Sequence, residues 1–138
     1  MSISPYLNFN GNTREVVQFY AQVFGVEEPQ FTTFDSMPQD PQHPLPPGAE
    51  NLIMHANLTI GGSALMFSDV FPGMPFERGV NNFSLAFVSK DETAMRAAFD
   101  QLKEGGSVDM ELQATPWSPC FGMLKDKYGI SWQFNLEG

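Results

Sequence analysis

The side chains most able to do acid–base, metal-binding or nucleophilic chemistry are few: two histidines, His43 and His55, and one cysteine, Cys120. His55 stands in an alternating run with Asn57 two residues on, so the two share a strand face. If that face lines a cleft, His55 could act as a general base or hydrogen-bond a ligand. Otherwise it pairs with a neighbouring strand or a partner subunit. Asp69 ends the run SALMFSD. It could present a carboxylate at a cleft mouth or start a turn. Trp117, Cys120 and Phe121 lie together in TPWSPCFG. Cys120 could be a nucleophile, but no helix start or neighbouring cation would lower its pKa, which favours an inert, buried thiol. Gln133 recurs with Ser131 and Asn135 at period two, opposite Trp132 and Phe134, on a solvated or cavity-lining face. Tyr6, Phe67 and some of the eight methionines could line an adaptable apolar pocket, the other methionines being core. No glycine-rich loop suits a phosphate, and no strand–turn–helix motif suits S-adenosylmethionine.

The elements that must position these residues fall into two similar series. Residues 3–9 predict a strand, broken by Asn10-Gly11. Asn12 followed by Glu15 has capping-box spacing, and Val16, Val17, Phe19, Tyr20, Val23 and Phe24 form one helical face ending at Gly25. Residues 30–35 predict a second strand. From Met37 to Gly48 five prolines exclude paired structure and imply an exposed loop. Residues 52–60 alternate, with Met54, Ala56, Leu58 and Ile60 on one side and His55, Asn57 and Thr59 on the other. Gly61-Gly62 then turns the chain into residues 63–68. After a linker at about 71–79 the order recurs. A strand spans 82–88, and a helix is started by Ser89 to Asp91 and faced by Ala94, Met95, Ala98, Phe99 and Leu102. Gly105-Gly106 stops it, and strands follow at 107–113, 119–126 and 130–136.

The halves, about 1–70 and 80–138, thus share a β-α-β-β-β order more than they share letters. One such half covers only one sheet face with its helix, and two halves side by side can curve the bare faces into a cleft.

A chain of 138 residues, 42% hydrophobic, is a single globular domain by size. Its net charge of −9 argues against nucleic acid and anionic membrane surfaces as partners. One cysteine permits no internal disulfide, and the N-terminus carries no apolar signal or span. A cytoplasmic protein is expected.

The segments PYLNFNGNTREVVQFYAQVFG, MHANLTIGGSALMFSD and FGMLKDKYGISWQFN resemble the PhnB-like branch of the vicinal-oxygen-chelate superfamily, the glyoxalase, bleomycin-resistance and dioxygenase fold, over nearly the whole chain. Members of this branch often carry the label 3-demethylubiquinone-9 3-methyltransferase. The resemblance implies an α+β domain of two tandem β-α-β-β-β modules forming a curved mixed sheet around a cleft, usually as a homodimer. It makes the Trp117–Phe121 stretch a border of the cavity, often with Arg where Cys120 stands, and turns the Gln133 face inward.

Metal-using relatives hold a divalent ion through His, Gln or Glu on the inward strand faces. Carried over, those positions fall near Pro5, Met66, Phe83 and Gln133. Pro and Phe offer no donor, the Met thioether is too soft for a hard ion, and Gln ligates without charge. A set made of His55, Asp69 and Gln133 is conceivable. The expectation is therefore a cleft that binds a small apolar or aromatic molecule without metal or other cofactor. His55, Asn57, Asp69, Trp117, Cys120, Phe121 and Gln133 are the candidate contacts. The alternative is an enzyme, either a lyase, isomerase or dioxygenase with an atypical metal site or the methyltransferase of the family label.

Overall fold

The computed structural model describes residues 1–36, 38, 40–79 and 82–138. Met37 and Gln39, within the expected proline loop, and Val80, the expected start of the second half, lie outside the described residues. The chain divides into two compact units, Met1–Glu77 and Arg78–Gly138.

The first unit runs β1 (Tyr6–Phe9), α1 (Thr13–Phe24), β2 (Thr32–Thr33), a 3₁₀ turn (Phe34–Ser36), β3 (Ile53–Ile60) and β4 (Ser63–Asp69). Its sheet has the order β1-β4-β3-β2, with β1 parallel to β4 and the other pairs antiparallel. Gly61 and Gly62, both at positive φ, make the two-residue turn between β3 and β4. The apolar alternation of 53–60 is realised. Ala56 and Leu58 are buried beside their register partners Phe67 and Leu65, and Phe67 meets Tyr20 of α1 at 6.1 Å between ring centroids. Val16, Val17, Tyr20 and Val23 bury the inner stripe of α1. Gly25 ends the helix in the left-handed region, and Val26 N–H reaches back to the Ala21 carbonyl. The second strand is shorter than the spacing predicts, because the register slips between Thr32 and Thr33 and the backbone turns into the 3₁₀ segment.

The start of α1 departs from expectation in an instructive way. Asn12 occupies the N-cap, but its side chain makes no capping bond. The acceptor comes instead from the end of β4. Asp69 Oδ1 accepts from Gly11 N–H (3.0 Å), Thr13 N–H (3.1 Å) and Thr13 Oγ1 (2.7 Å), while Oδ2 accepts from Ile53 N–H (2.8 Å). Asp69 and Thr13 are both buried. One carboxylate therefore caps the helix, ties β1's exit to β4 and fixes the first residue of β3.

The second unit runs β5 (Leu85–Ser89), α2 (Glu92–Leu102), β6 (Ser107–Thr115), β7 (Ser118–Lys125) and β8 (Ser131–Leu136), with sheet order β5-β8-β7-β6. Its first strand is again parallel to its last, so the strand order of the first unit is reproduced. Asp91 caps α2 through Ala94 N–H at 3.0 Å, as its position predicts. Met95, Ala98, Phe99 and Leu102 are buried, and Phe99 meets Phe134 edge-on at 5.3 Å. Ala94, expected on that face, is exposed. Gly106 and Gly122 are required by close approach. A methyl at Gly106 would lie 2.2 Å from the Lys125 carbonyl oxygen, and one at Gly122 would lie 2.9 Å from Leu112 and 3.1 Å from Phe99. Buried Asp126 shapes the β7–β8 turn, accepting from Tyr128 and Ile130 N–H and from Trp132 Nε1 at 3.0 Å. Among the described residues no helix is long and apolar enough to cross a membrane.

Asp69→Ala orphans several buried donors at once and is expected to lower unfolding free energy by about 3 kcal/mol, since each unmet buried donor costs ~1–3 kcal/mol. Thr13→Val removes a single hydroxyl contact and is expected to cost about 1 kcal/mol. Urea denaturation checks both, and equal losses for the two variants would contradict the assignment.

Candidate functional site on the helix-free sheet faces

Each sheet buries one face under its helix, and alternation places every second side chain on the other face. In the first unit the register Tyr6–Met66–Asn57 crosses three strands on that helix-free side, with His55 beside Thr32 and with Asn8 accepting a 3.0 Å hydrogen bond from Ser68. Tyr6 Oη lies 3.5 Å from His55 Nδ1, the rings tilted at 42° with centroids 6.0 Å apart. Asn57 has no side-chain hydrogen bond among the described residues and is exposed.

In the second unit two register rows define the corresponding face. Val88, Asn135, Phe121 and Gln113 form one, and Ala86, Gln133, Met123 and Met110 the other. Trp117, at the β6–β7 turn, is 62% exposed and meets Phe121 edge-on at 5.2 Å. The Gln133 and Asn135 carboxamides are half-buried and make no hydrogen bond among the described residues.

The candidates therefore separate. His55 and Asn57 share the helix-free face of the first unit; Trp117, Phe121 and Gln133 share that of the second. Two do not join them. Asp69 pairs with Phe9 on the helix side, and its carboxylate is consumed by Gly11, Thr13 and Ile53 rather than presented at a mouth. Cys120 is buried on the side of β7 opposite Phe121, and Arg96 of α2 comes within electrostatic reach of it, a neighbouring cation that the sequence did not reveal. Phe67, a suggested pocket residue, also faces α1. Tyr6 is the contact that sequence reasoning underweighted. Its strand parity with Asn8 was legible, but its approach to His55 depends on residues 49 apart.

His43 lies away from these faces, in the proline loop. It forms an exposed 3.0 Å pair with Asp40 and holds that carboxyl below the usual aspartate range.

The residues do not fit the metal of this fold. Register sets Tyr6, not Pro5, beside Met66, and Pro5 contributes a carbonyl to Met66 N–H. Phe83 precedes β5 and is exposed. Gln133 alone offers a side-chain donor. The alternative set loses its carboxylate, because Asp69 lies on the opposite face from His55. Among the described residues no three His, Cys, Asp or Glu side chains cluster to hold an ion.

The family described as 3-demethylubiquinone-9 3-methyltransferase matches residues 1–135. The chain belongs to this family. Protein YjdN of Escherichia coli K12 is 33% identical over 99% of this chain and 95% of its own length. The crystal structure of PA1353 from Pseudomonas aeruginosa is 37% identical, covers 99% of this chain and 98% of that one, and superposes with a TM-score of 0.85. The PhnB protein from Bacillus cereus is 29% identical over 99% of both chains with a TM-score of 0.73. At the level of fold alone, a glyoxylase/bleomycin resistance protein/dioxygenase domain from a Frankia species aligns over the whole chain and 98% of its own, with 12% identity and a TM-score of 0.62. This is a PhnB-like member of the vicinal-oxygen-chelate superfamily, and its tandem β-α-β-β-β modules have that α+β fold.

The two tryptophans report on opposite sides of the second sheet. Trp132 is buried and bonded to Asp126, whereas Trp117 stands in solvent. Acrylamide is expected to quench Trp132→Phe several-fold more steeply than Trp117→Phe, whose emission should lie to the blue; Stern–Volmer titration of both variants checks this.

Proposed function

We propose that the chain binds a small, neutral, apolar or aromatic molecule against a helix-free sheet face, without a metal. One observation carries this reading: two unspent carboxamides, Gln133 and Asn135, stand beside an aromatic shelf of Phe121 and Trp117. The exposed Trp117 and half-buried Met123 supply polarisable apolar contact, buried Phe121 backs Trp117 edge-on, and each carboxamide offers both donor and acceptor to a ligand edge. The rows through Asn135 and Gln133 contain no charged side chain, and the next row brings Lys125 beside Ser131 on the same face. Away from Lys125, a charged ligand would lose hydration against the Gln133 and Asn135 rows without gaining an ion pair.

Metal independence rests on the donor set, since Pro5, Met66 and Phe83 give a hard ion no side-chain oxygen or nitrogen. Dialysis against EDTA is expected to leave both melting temperature and ligand affinity unchanged. A fall in either, restored by one divalent metal at stoichiometric content in elemental analysis, would favour the superfamily's metal-dependent lyase, isomerase or dioxygenase chemistry instead.

The family description favours a second reading, methyl transfer. Calorimetry with S-adenosylmethionine separates the two, because the binding reading predicts no saturable heat. A homodimer and a cytoplasmic setting belong to the same proposal, the first resting on the resemblance and the second on the single cysteine. Light scattering during gel filtration tests the first.

Titrating planar aromatic compounds while following Trp117 emission is expected to give a saturable change that survives in Trp132→Phe and vanishes in Trp117→Phe. Phe121→Ala or the double change Gln133→Ala, Asn135→Ala should weaken binding at least about tenfold, about 1.4 kcal/mol. Unchanged affinity in both would remove this face as the site.

A further inference from the structure

The helix-free face of the first unit differs from that of the second in one respect: it carries a group able to take up a proton. From β1 come Tyr6 and Asn8, from β2 Thr32, from β3 His55, Asn57 and Thr59, and from β4 Ala64, Met66 and Ser68. Tyr6 and His55 are the titratable side chains in this set, and it contains no Asp, Glu, Lys or Arg. The nearest carboxylates along the flanking chain are engaged: Asp35 by the Thr33 hydroxyl and Glu50 by Gly48 N–H at 3.1 Å. Asp69 is spent on the other face. His55 thus has one ring nitrogen 3.5 Å from a phenol oxygen and no carboxylate among the side chains of this face.

This composition restricts what could bind. A permanent cation would find no carboxylate. A permanent anion would find no fixed cation, on a chain of net charge −9. A neutral weak acid meets neither objection, because it can become an anion at the moment that imidazole becomes a cation.

Resting on the small-molecule reading above, we infer that Tyr6 and His55 form a proton-accepting pair for an aromatic ligand of the phenol class. His55 donates Nδ1–H to Tyr6 Oη, which fixes the ring and leaves the Nε2 lone pair open. The ligand's O–H bond breaks, its proton forms the Nε2–H bond, and the electron pair stays on the ligand oxygen. The products are a phenolate and an imidazolium in contact, with no net change in charge and no further reactant. Met66 and the Tyr6 ring provide apolar contact for the ligand ring, and the unspent Asn57 carboxamide is placed to donate to the phenolate oxygen.

The probe is 4-nitrophenol, studied slightly below neutral pH where the free compound is mostly in its colourless neutral form, with 4-nitroanisole as the non-acidic control. Adding the protein is expected to raise the yellow phenolate absorbance saturably. His55→Gln keeps a polar side chain but no base, and should abolish the rise. Tyr6→Phe should reduce it several-fold. His43→Gln should leave it unchanged. Calorimetry records binding of both compounds independently of colour. If both compounds bind but the phenolate signal does not rise, or rises equally in His55→Gln, the proton-accepting pair is overturned and the binding reading stands. If neither compound binds to the folded protein, both are overturned.

Discussion

A carboxylate buried without a cation is a severe constraint, and the first unit is arranged around one. Asp69 sits at the C-terminal end of β4, where the sheet meets the start of α1, and every contact it makes is with a donor. Three of these belong to the approach and first turn of α1, whose exposed N–H groups carry partial positive charge. The fourth begins β3. The carboxylate thereby links three segments far apart in the chain and sets where the helix lies on the sheet. Once the helix lies on one face, the other face is left for function. Asp126 acts on a smaller scale in the second unit, shaping the last hairpin and anchoring Trp132 on the helix side, away from Gln133 and Asn135.

That division of labour explains why an acidic residue that looks available for chemistry is not. The polar groups that remain open are carboxamides, hydroxyls, a single imidazole and, at one end of the second face, Lys125. Repetition of the strand order gives the two units the same frame, and the side chains on their open faces then diverge. One carries an imidazole beside a phenol, the other an aromatic pair beside two amides.

Much of this was legible in the sequence because it depends on local periodicity. The alternation of residues 53–60, the Gly61-Gly62 turn, the buried stripe of α1 and the Asp91 cap all follow from spacing alone. What was not legible depends on distant pairing. Asn12 has the sequence of a capping box, yet a carboxylate more than fifty residues away takes the role. The strand at Thr32–Thr33 is cut short by a register slip that propensity does not encode. The pairing of β1 with β4, which sets Tyr6 beside Met66 and gives Pro5 only a backbone carbonyl contact, is likewise a long-range property. The candidates His55, Asn57, Phe121 and Gln133 were legible as strand-face residues, whereas the Tyr6–His55 approach needed the β1–β4–β3 alignment.

Pro5 has a consequence of a different kind. β1 stands at the end of its sheet's strand order, hydrogen-bonded to β4, and the length of such a strand matters because sheet edges can template pairing with a further strand. Just upstream, Pro5 turns its carbonyl to Met66 N–H and, lacking an N–H of its own, ends the β1–β4 ladder on that side. β1 is accordingly only four residues long, Tyr6–Phe9, and short edge strands are one way in which a sheet limits strand-to-strand pairing. A residue that cannot bind a metal thus marks where the first strand begins.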